Sequence, residues 1–186
     1  DYLVIATGAT TNFYGNKNLE TKSLTLKSIP EALTMRSAIL QQFENAVIQS
    51  AGKPENQHLN FIIVGGGPTG VELAGALAEI KKNVLPADYR ELDPAKMEVH
   101  LVEGSGRVLP TMSEKSSRLA KKYLEQLGVK VWLNTLVNDY TGHELLLKDG
   151  SSIVAENVIW TAGVKGATIN GINPAAITKG NRILVD

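Results

Sequence analysis

Six consecutive residues, Gly65-Gly66-Gly67-Pro68-Thr69-Gly70, satisfy G-x-G-x-x-G through Gly65, Gly67 and Gly70. Three missing side chains leave bare main chain, and bare main chain can close on a diphosphate. The first glycine permits a tight turn, the second lets backbone approach the phosphates, and the third lets a helix pack against the preceding strand. Gly66, Thr69 and the first helical turn supply amides, and the positive helix end favours an anion. Pro68 has no N–H, so the donors come from its neighbours. No Gly-Lys-Ser/Thr follows, so the segment is not the loop of a nucleotide hydrolase.

A second chemical group lies downstream. Glu98-Val99-His100-Leu101-Val102-Glu103 reads as a strand ending in an acid. In a dinucleotide fold that carboxylate faces the adenosine ribose, accepts from its hydroxyls and repels a 2′-phosphate. Glu103 therefore favours NADH over NADPH. Gly70 and Glu103 are 33 positions apart, longer than the usual interval of about 20. The excess matches the irregular stretch 84–97, read as an insertion. Arg107, four residues past Glu103, is the one nearby cation weighed as a partner for a 2′-phosphate.

Other chemistries are excluded or weak. The chain of 186 residues contains no cysteine, so thiolate metal sites and a cysteine nucleophile within it are excluded. The three histidines, His58, His100 and His143, are too scattered for a metal cluster. Nineteen basic and nineteen acidic residues balance, which argues against nucleic acid or anionic lipid as a partner. No apolar run approaches the length needed to span a bilayer. His100 reads as a packed strand residue, Trp132 and Trp160 as core, and Lys81-Lys82 and Lys121-Lys122 as solvated helix faces.

The elements that must position these groups alternate. Asp1–Thr7 reads as a buried strand and 9–27 as a loop. Ser28-Ile29-Pro30-Glu31 fits a capping box. A helix to Ser50 follows, with Ile29, Leu33, Ile39, Leu40, Phe43 and Val47 as its stripe, ended by Ala51-Gly52-Lys53-Pro54. Leu59–Val64 is a short apolar strand, and Val71–Asn83 is a helix whose Ala74 and Gly75 allow close packing on the sheet. Thr111–Leu127 is a helix with Ala120, Tyr123, Leu124 and Leu127 on one face, capped by Thr111 or Ser113 and stopped at Gly128. Val129–Leu133 is a third strand. Then 137–140, 144–148 and 151–155 form a three-stranded meander turning at Thr141-Gly142 and Asp149-Gly150. Asn157–Thr161 is a returning strand, and Arg182–Asp186 is strand-like. This order predicts an α/β, Rossmann-like three-layer dinucleotide-binding domain with a parallel sheet and an antiparallel three-stranded meander, its ligand at the carboxyl ends of the strands.

At this point the residues resemble a known family. Gly65-Gly66-Gly67-Pro68-Thr69-Gly70-Val71-Glu72-Leu73-Ala74-Gly75 is similar to the NADH-binding motif of type II NADH:quinone dehydrogenases, flavoproteins of the pyridine nucleotide-disulfide oxidoreductase superfamily whose NADH domain is inserted into an FAD domain. Asp1–Ala9 resembles the family's hand-over strand. Glu103-Gly104-Ser105-Gly106-Arg107-Val108-Leu109-Pro110 resembles the segment after its second strand. Val158–Gly166 resembles its exit near the nicotinamide, and Ile183–Asp186 its return strand. The resemblance implies NADH in this domain and FAD held mostly by segments absent here. It places Gly104, Ala162 and Gly163 beside the cofactor, with the last two letting the nicotinamide approach. It also makes Glu72 a candidate catalytic residue that orients nicotinamide or handles a proton. The alternative is that Glu72, placed in the first helical turn, complements the helix end.

The resemblance divides the chain into 1–55 (end of an FAD-domain strand, linker loop and helix), 56–166 (NADH-binding domain) and 167–186 (return toward the FAD domain). Both ends look cut through structure, as in a piece of a larger protein; trimmed disordered tails are the alternative. The implied parent is a non-proton-pumping NADH:quinone oxidoreductase in respiratory electron transfer, peripheral on the cytoplasmic face of the membrane. The piece itself would be cytoplasmic, without membrane contact, open to homodimer formation, and able to bind NADH without turnover. Two other readings stay open: the NAD(P)H domain of a ferredoxin, nitrite or disulfide reductase, and a non-enzymatic NAD-responsive sensor module.

Overall fold

The computed structural model describes residues 4–50 and 59–185. In chain order, Ala9–Thr11 (β1), Lys17–Lys22 (α1), Leu24–Thr25 (β2) and Ile29–Ser50 (α2) precede Leu59–Val64 (β3). Pro68–Glu79 (α3) continues through a π-helical turn, Ile80–Val84, into Leu85–Asp88 (α4). Met97–Val102 (β4), Glu114–Gln126 (α5) and Lys130–Trp132 (β5) follow. Next come Val137–Tyr140 (β6), Glu144–Leu147 (β7), Ser152–Val154 (β8), Asn157–Trp160 (β9) and Val164–Gly166 (β10). Ile177–Thr178 (β11) and Arg182–Ile183 (β12) close the chain as an exposed antiparallel pair.

A five-stranded parallel sheet in the order β2-β9-β3-β4-β5 sits at the centre. Its inner strands are apolar on both faces, as a parallel sheet covered on both sides requires. Phe61, Ile63, Val99, Leu101 and Ile159 face one core with residues of α2, α3 and α5. Ile62, Val64, Val102, Val158 and Trp160 face the other core, with Leu19 of α1 and Tyr140, Leu145, Leu147 and Ile153 of the meander. Three layers result, helices, sheet and meander, as the element order predicts. The meander pairs β6-β7-β8 antiparallel, and the Tyr140 hydroxyl lies 3.0–3.2 Å from the Gly142, Ala155 and Glu156 carbonyls. β2 and α2 belong to the same sheet and helix layer as residues 59–160.

Several local expectations change. Val4 and Ile5 are exposed and, among the described residues, no strand forms before Ala9; Asp1–Leu3 lie outside the described residues. Residues 9–27 are not a plain loop. β1 pairs with β10, β2 extends the sheet, and α1 is capped by Asn16, whose Oδ1 accepts from the Leu19 amide at 3.0 Å. In α2 the buried face is Met35, Ile39, Phe43 and Ala46, while Ile29, Leu33 and Leu40 are exposed. Phe43 sets this face by edge contacts with Phe61 and Tyr89.

The Ser28–Glu31 capping box forms, with the Ser28 amide donating to Glu31 at 2.7 Å. Ala51–Pro54 lie outside the described residues. Within 84–97, α4 and a 3₁₀ turn at Pro94–Lys96 order most of the stretch. α5 begins at Glu114 because Ser113, not Thr111, caps it, accepting from the Ser116 amide. Leu124 faces the core, but Tyr123 is exposed. Trp132 is 37% exposed because β5 is the sheet edge, whereas Trp160 is buried. Of the expected strand Arg182–Asp186, Arg182–Ile183 is strand among the described residues, Leu184 and Val185 are exposed, and Asp186 lies outside the described residues.

Candidate dinucleotide site

The β3–α3 junction bends where two strands run out. Gly65 has φ +114°, a conformation that L side chains rarely adopt. A Cβ there would lie 2.8 Å from the Ala162 nitrogen. At Gly70 the constraint is space: a Cβ would fall 1.9 Å from the Gly65 carbonyl oxygen. The turn and the helix are therefore pressed together as closely as backbone permits. Gly67 differs. Its φ of −72° suits any residue, and nothing lies within 4 Å of where its Cβ would point. Open space thus meets bare main chain at the N-cap of α3, whose first-turn amides have no partner further back in the helix. Pro68 occupies N1, and Pro68 and Thr69 are exposed.

Neighbouring segments fix the loop. The Gly66 amide donates to Glu103 Oε2 at 2.5 Å, and the Ser105 amide donates to Oε1 at 2.7 Å. The Leu109 amide donates to the Gly66 carbonyl at 2.7 Å. Thr161 Oγ1 lies 2.9 Å from the Val64 carbonyl and 3.1 Å from that of Gly65. The sequence reading missed Thr161 as a support; a hydroxyl just past a strand end was the signal. Glu103 still has lone pairs free, since a carboxylate offers about four acceptor positions.

A cleft of about 610 Å³ opens here. It is lined at one end by Glu103, Gly104, Leu136 and Lys148, centrally by Gly65 and Gly67, and at the other end by Thr161, Ala162, Gly163 and Tyr14. The structure thus gathers Gly65, Gly67, Glu103, Gly104, Ala162 and Gly163 around one space. Gly66 and Gly70 lie behind it as structural supports. Glu72 is not among the lining residues; it is exposed and is the fifth residue of α3. It is therefore beyond the first turn, where the helix field is strongest. Gly75 meets nothing within 4 Å, so the close packing of α3 does not need it and rests on buried Gly70, Ala74, Leu77 and Ala78. Arg107 donates to the Pro110 carbonyl at 2.7 Å and lies outside the cleft. Lys148 and Tyr14 are lining residues the sequence reading did not single out.

Away from the cleft, His100 is buried and bonded. The Trp132 indole donates to Nδ1 at 3.1 Å, which leaves the proton on Nε2, 3.1 Å from Glu98. Burial pushes the imidazole below its ordinary value of 6.5. Lys130, 2.6 Å from Glu98, holds that carboxyl low. Among the described residues, no group of His, Asp and Glu is arranged to hold a metal ion. No described helix is long and apolar enough to cross a membrane.

A parallel sheet covered by helices on one face and a meander on the other, with a glycine bend and an acid at adjacent strand ends, defines a dinucleotide-binding domain. The chain belongs to the pyridine nucleotide-disulphide oxidoreductase family, whose model matches residues 1–186. It is similar to the type II NADH:quinone oxidoreductase NdhA of Mycobacterium tuberculosis, 33% identical over all of this chain and 42% of the relative. A type II NADH:quinone oxidoreductase of Haemophilus influenzae is 33% identical over 91% of this chain and 40% of the relative. The chain therefore spans about two fifths of the length of these relatives. Among solved structures, NDH2 from Plasmodium falciparum in complex with NADH shares the fold. Its TM-score is 0.80 at 24% identity, over 86% of this chain and 34% of that one.

Proposed function

We propose that this chain is the NADH-binding domain of a type II NADH:quinone oxidoreductase. The observation that carries the reading is the pairing of a closed glycine bend with open space at Gly67, beside an anchored Glu103. Such a cradle fits a diphosphate: bare main chain faces the cleft, and amides at a helix start can donate to phosphate oxygens. Main chain at Gly67 and the first turn of α3 would hold the phosphates on the bend shaped by Gly65, Gly66 and Gly70, Glu103 would hold the adenosine ribose hydroxyls, and Ala162 and Gly163 would lie at the ring end. When bound, NADH would supply a hydride for FAD, which segments outside this chain would hold, on the way to quinone. The residues here bind and orient.

Glu72 is exposed, so a role in orienting nicotinamide or moving a proton would be exercised only in the assembled protein. A second reading concerns the cofactor. Lys148 shares the adenosine end of the cleft with Glu103 and supplies a cation that a 2′-phosphate could use. The anchored carboxylate opposes that use and favours NADH. Titrating the chain with NADH and NADPH, wild type beside Glu103→Ala, tests both points. NADH preference weakened by the substitution is expected; equal or tighter NADPH binding by the wild type overturns the assignment.

A further inference from the structure

Tyr14 ends the cleft, and its backbone is held before any ligand arrives. It has φ +53°, uncommon for a residue without the local hydrogen bonding that suits Asn to this region. Its amide donates to Asn12 Oδ1 at 2.9 Å. On one side, the Asn12 amide donates to the Gly163 carbonyl at 3.2 Å. The Trp160 indole donates to the Asn12 carbonyl at 3.0 Å, and Phe13 stacks on Trp160. On the other side, Asn16 Nδ2 donates to the Asn138 carbonyl at 3.0 Å. The turn is therefore tied both to the end of β9 and to the meander.

This places the phenol against Gly163. A Cβ on Gly163, itself at φ +101°, would meet the Tyr14 hydroxyl at 2.4 Å. What approaches Gly163 in this structure is thus the Tyr14 ring, and the absent side chain makes room for it. Tyr14 is 69% exposed, and its hydroxyl has no hydrogen-bond partner among the described residues. Glu103 marks the adenosine end over β4, and the glycine bend marks the diphosphate over β3. The third position along the sheet, over β9, is where Tyr14 stands.

We infer that Tyr14 is the positioning residue for the nicotinamide: its ring forms the wall on which the base packs, with the free hydroxyl within reach of the carboxamide. The inference rests on the dinucleotide reading above. A backbone tied on both sides in an uncommon conformation has already met the cost of ordering that wall. An aromatic face at a ligand end adds a modest, geometry-dependent gain beyond area burial.

The test compares NADH with ADP-ribose, which keeps the adenosine and diphosphate but lacks the base. Tyr14→Ala is expected to weaken NADH binding by about fivefold, the scale of one aromatic contact, and to leave ADP-ribose unchanged. Tyr14→Phe is expected to lose less, because it keeps the wall and removes only the hydroxyl. Unchanged ADP-ribose affinity also reports an intact fold. Equal losses for both ligands, unchanged NADH affinity, or tighter NADH binding by Tyr14→Ala would each overturn the inference. Wild-type chain that binds neither ligand would overturn the dinucleotide reading itself, a separate outcome.

Discussion

At Glu103, one carboxylate has two tasks. It accepts from the Gly66 and Ser105 amides and so stiffens the glycine bend, while its remaining lone pairs face the cleft. Glu103→Ala should therefore weaken NADH binding and narrow the gap between NADH and NADPH by about tenfold, the worth of a hydrogen bond to a charged group. Fluorescence titration with both cofactors checks this. Glu72 gives a different expectation. It is exposed and outside the cleft, so Glu72→Gln should leave NADH affinity of this chain unchanged. In the full-length enzyme, a role in orientation or proton transfer would lower turnover by tenfold or more, on the order of one positioned acid–base group. Unchanged turnover there would end that role. Gly65, Gly67 and Glu103 were legible as cleft residues because the glycine motif and the strand end mark their positions, whereas the Glu72 role came from the family resemblance and its side chain lies outside the cleft. Tyr14 and Lys148 were not legible, because they reach the cleft from β-turn and meander segments distant in sequence.

Among the elements, those with long apolar patterns were readable. β3, β4, the capping box of α2 and the three-stranded meander fall within a residue or two of expectation. α1, β1 and β10 were not, since elements of three to six residues carry little periodicity. The stripe of α2 misled because packing of Phe43 on Phe61 and Tyr89, not the count of apolar side chains, selects the buried face. The edge pair β4–β5 makes a pH prediction. His100 is held neutral by burial, below its ordinary value of 6.5, with the Glu98 bond opposing and Lys130 adding to the shift. The unfolded chain therefore takes up the proton first. This contribution to stability is complete above about pH 6.5 and is lost as pH falls through the folded-state value. Denaturant midpoints should fall in that window, and His100→Gln should flatten the dependence. In the meander, the buried Tyr140 hydroxyl, pushed up to about 12 by burial, donates among three carbonyls. Tyr140→Phe should cost about 1–3 kcal/mol, measured by chemical denaturation, with NADH binding retained.

For the whole molecule, the three layers bring the carboxyl ends of the parallel strands, the edge of the meander at Leu136 and Val137 and the turns that cover them to one cleft. The chain spans about two fifths of its relatives, and the proposed reading assigns FAD to segments outside it. The chain alone should bind NADH but not oxidise it when quinone is added, followed by nicotinamide absorbance. Stoichiometric flavin on the purified chain, or turnover, would contradict this. The most direct measurement is at Gly67. A Cβ there meets nothing within 4 Å and suits the backbone, so a side chain would start into the space assigned to the diphosphate. Calorimetric titration of Gly67→Val with NADH should show binding abolished while the melting temperature stays within a few degrees of wild type. A folded Gly67→Val chain that binds NADH as tightly as wild type would contradict the account.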